Sequence, residues 1–423
     1  MQRLEAVAPV GLKCLWISRY VPYPLDGGAK VYSAKLAESL AATGATVRFL
    51  GFGDTNAVPS DAAGMQWIGV PHGKRNEIAA LFSSLPNAAA IDATSAYKSL
   101  LDEQLRERWD AIVLDGYGSG WALDRCLAHC ARRRRRRPVL VHVSHNDEES
   151  VWFSLSRQAQ TSLPRRLAFW QNYLKVRALE RRVARNVDLL TTITEEDRQS
   201  LSSRAHSVRS MTLTPGYAGE TARPRVITAD TPRRAIVVGS FFWVMKQENL
   251  KRFLDAADPI FQRNGIGLDI VGEVPPALLE HFSTRCQATR FHGFVDDMTD
   301  LMSQARVAVV PEVIGGGFKL KFLDYIFARV PVATLHQAAA GLPPSLREHT
   351  LAGDDLPELI EAIVAHIDRL EQLNQMQQHA LDVASAMFRW EDRGVQLGEA
   401  IANVQREQFG ASRQVTWGFG RAG

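Results

Sequence analysis

The stretch from Val307 to Leu335 constrains the fold of this chain more than any other. It opens with the apolar, mostly β-branched run Val307 to Val310, which is typical of a buried parallel strand. A proline and the triple glycine 315–317 follow, and helical periodicity begins after them. A strand, a glycine-rich loop and a helix in this order predict an α/β fold with a parallel sheet.

The same stretch has the features of an anion-binding loop. Glycines let the backbone approach a ligand, and the N–H groups at the start of a helix favour a phosphate. Lys319 and Lys321 place two cations in the first helical turn, where the helix dipole disfavours positive charge unless an anion lies between them. Asp324, one turn further on, is expected to face a ribose. A turn that binds nothing is the alternative, because strand, glycine turn and helix recur in every doubly wound fold.

Length and composition restrict the class of protein. The chain has 423 residues, 46% of them apolar, which is enough for two domains with a core each. No run of eighteen apolar residues occurs, and the N-terminus lacks the apolar segment of a signal peptide. The four cysteines are too scattered for a disulfide framework, and Cys126 and Cys130 lack a second pair for zinc. We expect a cytoplasmic protein without a metal.

Basic residues are concentrated in one region although the net charge is only +4. Arg132 to Arg137 form an unbroken run, and further cations follow up to Arg185. This basic region 132–185 predicts peripheral contact with an anionic membrane or a phosphate-bearing acceptor. A solvated surface is the alternative interpretation. A nucleic-acid partner is not expected, because no binding motif or interleaved aromatic residues accompany the arginines.

Alternating strand and helix patterns divide the chain into two similar α/β halves. Residues 1–215 are predicted to form an N-terminal Rossmann-like domain, 216–234 a linker rich in Thr, Pro and Arg, and 235–395 a C-terminal Rossmann-like domain. The tail 396–423 is expected to return toward the first domain. Parallel sheets bind ligands beyond the carboxyl ends of their strands, so we expect the two sheets to face a central cleft.

Several short motifs of the second half, taken together, resemble the C-terminal domain of retaining glycosyltransferases of the GT-B fold, family 4 (glycosyltransferase group 1). The motifs occur in the order found in that family: Val238-Gly239-Ser240, Ile270-Val271-Gly272, His292-Gly293-Phe294-Val295-Asp296-Asp297, Val309-Val310-Pro311, Gly315 to Asp324 as Gly-x-Gly-x-Lys-x-Lys-x-Leu-Asp, and Pro331 to Thr334. The first half is similar through Asp26-Gly27-Gly28 and His145-Asn146. The resemblance covers nearly the whole chain.

The resemblance implies a nucleotide diphosphate sugar as substrate, an acceptor with a hydroxyl group, and no cofactor. It assigns His145 and Lys319 as the catalytic residues, with His145 near the donor sugar and Asp324 on the ribose. Lys246 is a candidate second cation for the phosphates. The complete set of implied donor-binding residues is Gly27, Gly28, Lys246, Phe294, Val295, Gly315, Gly316, Gly317, Phe318, Lys319, Lys321 and Asp324.

One departure from the family pattern concerns the donor sugar. Many members carry two glutamates eight positions apart, and here Gly316 stands where the first, sugar-holding glutamate would be. Glu312 is a candidate replacement, and a solvent-facing loop acid is the alternative. A non-catalytic subunit that binds an active partner enzyme is therefore the alternative function. Asp296 and Asp297 are interpreted as a helix cap before Met298 rather than as metal ligands.

Overall fold

The structure, a computed structural model, describes residues 11–56, 58, 64–71, 77–133, 137–158, 162–204, 208–313 and 317–415. The chain divides into two compact units. Unit 1 comprises residues 1–156, 161–216 and 389–423, and unit 2 comprises residues 157–160 and 217–388. Each unit has its own parallel sheet flanked by helices.

Unit 1 contains a seven-stranded parallel sheet with the strand order β3-β2-β1-β4-β5-β6-β7. Its strands are β1 (Lys13–Tyr20), β2 (Thr46–Phe52), β3 (Met65–Val70), β4 (Ala111–Asp115), β5 (Val139–Ser144), β6 (Leu189–Thr192) and β7 (Arg209–Thr212). β4 and β5 are buried along their whole length, and β1 is buried from Cys14 to Ser18. Such continuous apolar runs are expected of strands that are covered by helices on both faces.

The helices of unit 1 lie between these strands. They are α1 (Gly28–Ala42), α2 (Glu77–Phe82), α3 (Asn87–Asp92), α4 (Ser95–Gln104), a 3₁₀-helix (Tyr117–Ala122), α5 (Leu123–Arg132), α6 (Glu148–Gln158), α7 (Leu163–Asn186) and α8 (Glu195–Arg204). The last helix of the chain, α16 (Trp390–Val415), also belongs to unit 1. α16 packs against α1 so closely that a methyl group on Gly394 would collide with the carbonyl oxygen of Ser39.

Unit 2 contains a six-stranded parallel sheet with the strand order β10-β9-β8-β11-β12-β13. Its strands are β8 (Arg234–Val238), β9 (Gly267–Val271), β10 (Thr289–Gly293), β11 (Val307–Val310), β12 (Val332–Leu335) and β13 (Thr350–Gly353). Its helices are α9 (Val244–Arg263), α10 (Pro276–Ser283), α11 (Thr299–Gln304), α12 (Lys321–Phe327), α13 (Pro344–Arg347), α14 (Leu356–His366) and α15 (Leu370–Met387).

The strand order reverses between β8 and β11 in unit 2 and between β1 and β4 in unit 1. Successive strands are added outward on opposite sides of these pairs, so the loops that follow the two central strands diverge. Open α/β sheets bind their ligands at this point, beyond the carboxyl ends of the strands. The prediction of an α/β fold with two Rossmann-like domains is confirmed.

Several boundaries differ from the sequence prediction. Helical periodicity in the sequence predicts a helix that starts at Asn249, but α9 begins earlier, at Val244. α11 begins at Thr299 rather than at Met298, and the Asp297 side chain accepts a hydrogen bond from the Thr299 N–H at 2.9 Å. β7, which has a single large apolar residue, was not predicted. No helix in the described part of the chain is both long enough and apolar enough to span a bilayer.

Candidate functional site

Charged side chains of unit 2 gather at the carboxyl ends of β8 and β11. Lys246 lies in the first turn of α9, which follows β8, and Glu312 lies in the loop after β11. Lys321 is the first residue of α12. A methyl group on Gly239, just beyond β8, would lie 3.8 Å from the Lys321 ammonium nitrogen, so Lys321 reaches the gap between the two strands. We call Lys246, Glu312, Lys319 and Lys321 the lysine cluster.

Lys321 and Glu312 form an ion pair at the centre of the cluster. The ammonium nitrogen lies 2.5 Å from Glu312 Oε1, and the two side chains are only 16% and 11% exposed. Burial alone would raise the pKa of Glu312, but the charge and hydrogen bond of Lys321, and then the charge of Lys319, lower it. Glu312 is therefore an anion at neutral pH. It is not the solvent-facing loop acid that the sequence allowed.

The second carboxylate oxygen of Glu312 is buried and receives no hydrogen bond from any described residue. Buried carboxylate oxygens are normally satisfied, and an unsatisfied one suggests a missing ligand or water. The pair thus leaves one acceptor available in the cluster.

Lys246 is the third member of the cluster. Desolvation lowers the pKa of Lys246, the charge of Lys321 lowers it further, and the charge of Glu312 partly offsets both effects. Its ammonium group forms neither a hydrogen bond nor an ion pair with another residue in the described part of the chain. The structure therefore brings the predicted phosphate cation Lys246 within electrostatic reach of Lys321.

Lys319 does not lie in the first turn of α12, which corrects the sequence prediction. α12 begins at Lys321 after Leu320, and the Lys319 ammonium group turns back to donate to the Gly317 carbonyl at 3.0 Å. Gly317 adopts φ 69°, a left-handed conformation that favours glycine. The predicted ligand residues Gly315 and Gly316 lie outside the described residues.

Asp324 lies one turn into α12. Its side chain is exposed, yet the protein around it desolvates the carboxyl group and raises its pKa to about 6, while the charge of Lys321 acts in the opposite direction. Tyr217 lies nearby, and the pKa of its hydroxyl is raised to about 12, first by desolvation and then by the charge of Asp324. An open carboxylate beside a tyrosine ring fits the expected contact with a ribose, which stays a prediction.

The other residues of unit 2 that were predicted to bind the donor are Phe294 and Val295, which follow β10, and Phe318, which precedes α12. Phe294 follows β10 and is 71% exposed, whereas Val295 packs against the core. Phe318 packs on Phe388 with the ring centroids 5.6 Å apart, so its ring is part of the hydrophobic packing. The predicted contact of these residues with the donor stays a prediction.

His145 and Asp115 form a second group, at the carboxyl ends of β5 and β4 in unit 1. His145 Nε2 lies 2.6 Å from Asp115 Oδ1, and the imidazole packs edge-on against Tyr32. Burial alone would lower the pKa of His145, but the charge and hydrogen bond of Asp115 raise it. Asp115 is fixed by a hydrogen bond from Trp16 Nε1 at 2.9 Å, so the imidazole is both oriented and positively polarised.

The Gly27-Gly28 loop starts α1 on the same side of the unit 1 sheet. Gly27 has extended backbone angles and open space around its Cα, and α1 has neither a side-chain cap nor an acid in its first turn. The first N–H groups of α1 are therefore available to a ligand. The predicted approach of these glycines to a donor phosphate and sugar stays a prediction.

Two contacts of the candidate site escaped the sequence analysis. The Glu312–Lys321 pair joins residues nine positions apart across a glycine loop, and no local pattern specifies it. The Asp115–His145 pair joins the ends of neighbouring strands, and those two strand ends were the signal that could have suggested it. Among the described residues, no three His, Cys, Asp or Glu side chains are grouped as metal ligands would be.

Comparison with known families identifies both halves of the chain. Residues 27–215 match the glycosyl transferase 4-like domain, and residues 232–369 match glycosyl transferases group 1. The chain belongs to the group 1, or family 4, type of GT-B glycosyltransferases. The predicted resemblance is confirmed. No curated protein sequence matches this glycosyltransferase.

Solved GT-B structures share its fold. The sucrose-phosphate synthase of Thermosynechococcus elongatus is 19% identical with a TM-score of 0.66, and the match covers 95% of this chain and 100% of the synthase. WaaG, a glycosyltransferase involved in lipopolysaccharide biosynthesis, is 18% identical with a TM-score of 0.62 over 92% of this chain and 99% of WaaG. HepE from Anabaena, solved with UDP-glucose, is 12% identical with a TM-score of 0.62 over 93% of this chain and 100% of HepE.

Proposed function

We propose that this glycosyltransferase moves a sugar from a nucleoside diphosphate donor to an acceptor hydroxyl with retention of the anomeric configuration. The lysine cluster is the observation that carries the proposal. Three ammonium groups around one carboxylate leave a surplus of positive charge at the point where α/β sheets bind ligands. A diphosphate is an anion that would compensate this surplus.

A uridine nucleotide is the first donor to test. HepE was solved with UDP and with UDP-glucose, and a related Escherichia coli protein was solved with UDP-2-fluoro glucose. In the proposed complex, Lys246, Lys319 and Lys321 hold the diphosphate and Asp324 accepts hydrogen bonds from the ribose hydroxyls. The acceptor is a glycan, a lipid-linked glycan, a natural product or a protein side chain, as the sequence already suggested.

The proposed chemistry breaks the bond between the anomeric carbon and the donor phosphate oxygen. The acceptor oxygen bonds to the same face of the sugar, and its proton moves to the departing phosphate oxygen. The lysines stabilise the negative charge that develops on the diphosphate. The polarised imidazole of His145 orients the sugar and does not attack it, and no cofactor takes part.

Fixed ammonium groups supply in this proposal the positive charge that a metal ion would otherwise bring. Transfer should therefore continue when a chelator such as EDTA is present. A loss of activity in EDTA that added Mg²⁺ or Mn²⁺ restores would contradict metal independence and would leave the donor assignment intact.

Replacement of Lys319 by alanine tests the proposal directly. Sugar transfer from UDP-glucose, or from whichever donor of a UDP-, GDP-, ADP- and dTDP-sugar panel raises the melting temperature, should fall by about 10²-fold. Lys251→Ala is the matched control, because Lys251 is an exposed lysine of α9 in the same unit. If calorimetry showed the same affinity for the nucleotide in Lys319→Ala and in the wild type, the phosphate assignment would be wrong.

No finding favours the alternative of a non-catalytic subunit. The missing first glutamate motivated it, but the cations and Asp324 remain together in unit 2. Release of the nucleotide in the presence of acceptor or water distinguishes the two, because a non-catalytic subunit would release none. A peripheral location at the inner face of a membrane, which the basic region 132–185 predicts, remains part of the proposal.

A further inference from the structure

Helix α7 carries an apolar stripe on its solvent side. Leu163, Leu167, Trp170 and Leu174 are 63%, 61%, 42% and 46% exposed. Their spacing of four, three and four residues places them on one face of the helix. The buried residues of α7, which include Val176, already supply its contact with the unit 1 core. The exposed stripe is therefore a second apolar face that folding of the chain does not explain.

Aromatic side chains of neighbouring elements widen this stripe. Phe153 of α6 packs on Trp170 with the ring centroids 6.4 Å apart, and it is itself partly exposed. The carbonyl group of Leu81 accepts hydrogen bonds from Gln171 at 3.1 Å and Lys175 at 2.7 Å, which holds the end of α2 against α7. Phe82, the last residue of α2, is 87% exposed there. We call the four stripe residues with Phe153 and Phe82 the α7 patch.

Uncompensated positive charge lies directly beside the α7 patch. Arg165 and Arg166 are exposed, and neither forms an ion pair with another described residue. Two arginines nearer the end of α7 differ, because Arg181 is paired with Glu149 at 2.8 Å and Arg182 is paired with Asp124. Part of the positive charge of region 132–185 is thus neutralised within the protein, whereas Arg165 and Arg166, which border the apolar surface, have no acidic partner among the described residues.

The only acid in α7 is Glu180, which is buried and accepts hydrogen bonds from the backbone N–H groups of Glu148 and Glu149. A second copy of the chain would therefore bring cations against cations and offer no acid on α7 to pair with them. Symmetric self-association in which α7 packs on α7 of a second copy is disfavoured for this reason.

We propose that the α7 patch docks onto the surface of an anionic lipid bilayer. Leucine, tryptophan and phenylalanine side chains would enter the boundary between headgroups and acyl chains, where amphipathic aromatic rings are favoured. Arg165 and Arg166 would meet the lipid phosphates while their stems lie along the apolar surface. This inference rests on the peripheral membrane location proposed above and names the surface that would contact lipid. Docking needs no sugar donor, so the docking and the proposed sugar transfer can each fail while the other holds.

Flotation of the full chain with lipid vesicles tests this inference. The protein should float with vesicles of equimolar phosphatidylcholine and phosphatidylglycerol at about 0.1 M salt, and less at about 1 M salt, where the screening length falls to about 3 Å. The double variant Leu167→Gln/Trp170→Gln should bind about tenfold or more weakly, because it removes apolar area that would enter the bilayer. Arg165→Gln/Arg166→Gln should weaken binding to a similar extent and abolish most of its salt dependence.

The matched control is Val226→Gln, which changes an apolar residue of unit 2 that is more exposed than Leu167 or Trp170 and should leave flotation unchanged. The cooperative thermal melting transition, compared with that of the wild type, reports in each variant whether the protein remains folded. Failure of the wild type to float at low salt would overturn the proposal, as would unchanged flotation of Leu167→Gln/Trp170→Gln. A wild-type dimer in sedimentation equilibrium that this variant abolishes would assign the patch to self-association instead.

Discussion

A lysine at the first position of a helix faces the positive end of the helix dipole and needs a negative partner. That partner of Lys321 is Glu312 of the same chain, and both side chains are largely buried. A buried pair of this kind is costly to break from one side, because the remaining charge is left uncompensated. A diphosphate that binds to Lys321 must therefore compete with Glu312 or rearrange it.

Replacement of Glu312 by glutamine should separate these roles. The variant removes the competing anion and leaves Lys321 next to Lys246, so the unliganded protein should melt at a lower temperature. The affinity for a UDP-sugar should rise by about tenfold, because the ligand becomes the principal anion of the cluster. Isothermal calorimetry measures this change. A weaker affinity would show instead that Glu312 contacts the donor, as a replacement for the missing sugar-holding glutamate.

The pKa of Asp324 predicts a pH dependence of donor binding. Desolvation raises this pKa to about 6, so the carboxylate is ionised at neutral pH and becomes protonated as the pH falls through about 6. A protonated carboxyl group accepts hydrogen bonds from ribose hydroxyls less well, and affinity should fall over this range. Titration with UDP-glucose is suitable, because its phosphodiester groups do not titrate there. Asp324→Asn should bind weakly at all of these pH values, and a pH response equal to that of the wild type would refute the assignment.

At the scale of elements, the two units repeat one arrangement. A short apolar strand ends at the centre of the sheet, a glycine-containing loop follows, and a helix begins near the carboxyl ends of the strands. The strands could be predicted from their β-branched runs, because burial on both faces demands such residues. The polar strand β7 has no such signal, and only its pairing with β6 defines it.

Packing between α1 and α16 depends on one glycine. A side chain at Gly394 would meet the backbone of Ser39, and backbone atoms of a helix cannot move aside as a flexible side chain can. Gly394→Ala should destabilise unit 1 by about 1–3 kcal/mol, the usual cost of overpacking. Thermal or urea denaturation measures the loss. Asn403→Ala, at an exposed position of the same helix, should change stability by less than about 0.5 kcal/mol.

At the scale of the whole molecule, sequence reasoning predicted the two-domain α/β class and the family, because both depend on patterns along the chain. It located the lysines and His145 near strand ends for the same reason. It could not supply the partners of these residues, since Glu312 and Asp115 reach them only through the folded loops. The α7 patch was also hidden, because apolar residues on two faces of one helix cannot be divided between core and surface without the structure.

Unit 1 is discontinuous in sequence, and this has a consequence for its synthesis. Its helix α16 begins at Trp390, after the whole of the segment Tyr217–Phe388 that forms most of unit 2. The ribosome synthesises the chain from the N-terminus, so the sheet of unit 1 is made first. Its last helix is made only after the residues of unit 2. The face of α1 that Gly394 approaches is exposed throughout that interval, which makes it a candidate for protection by a chaperone.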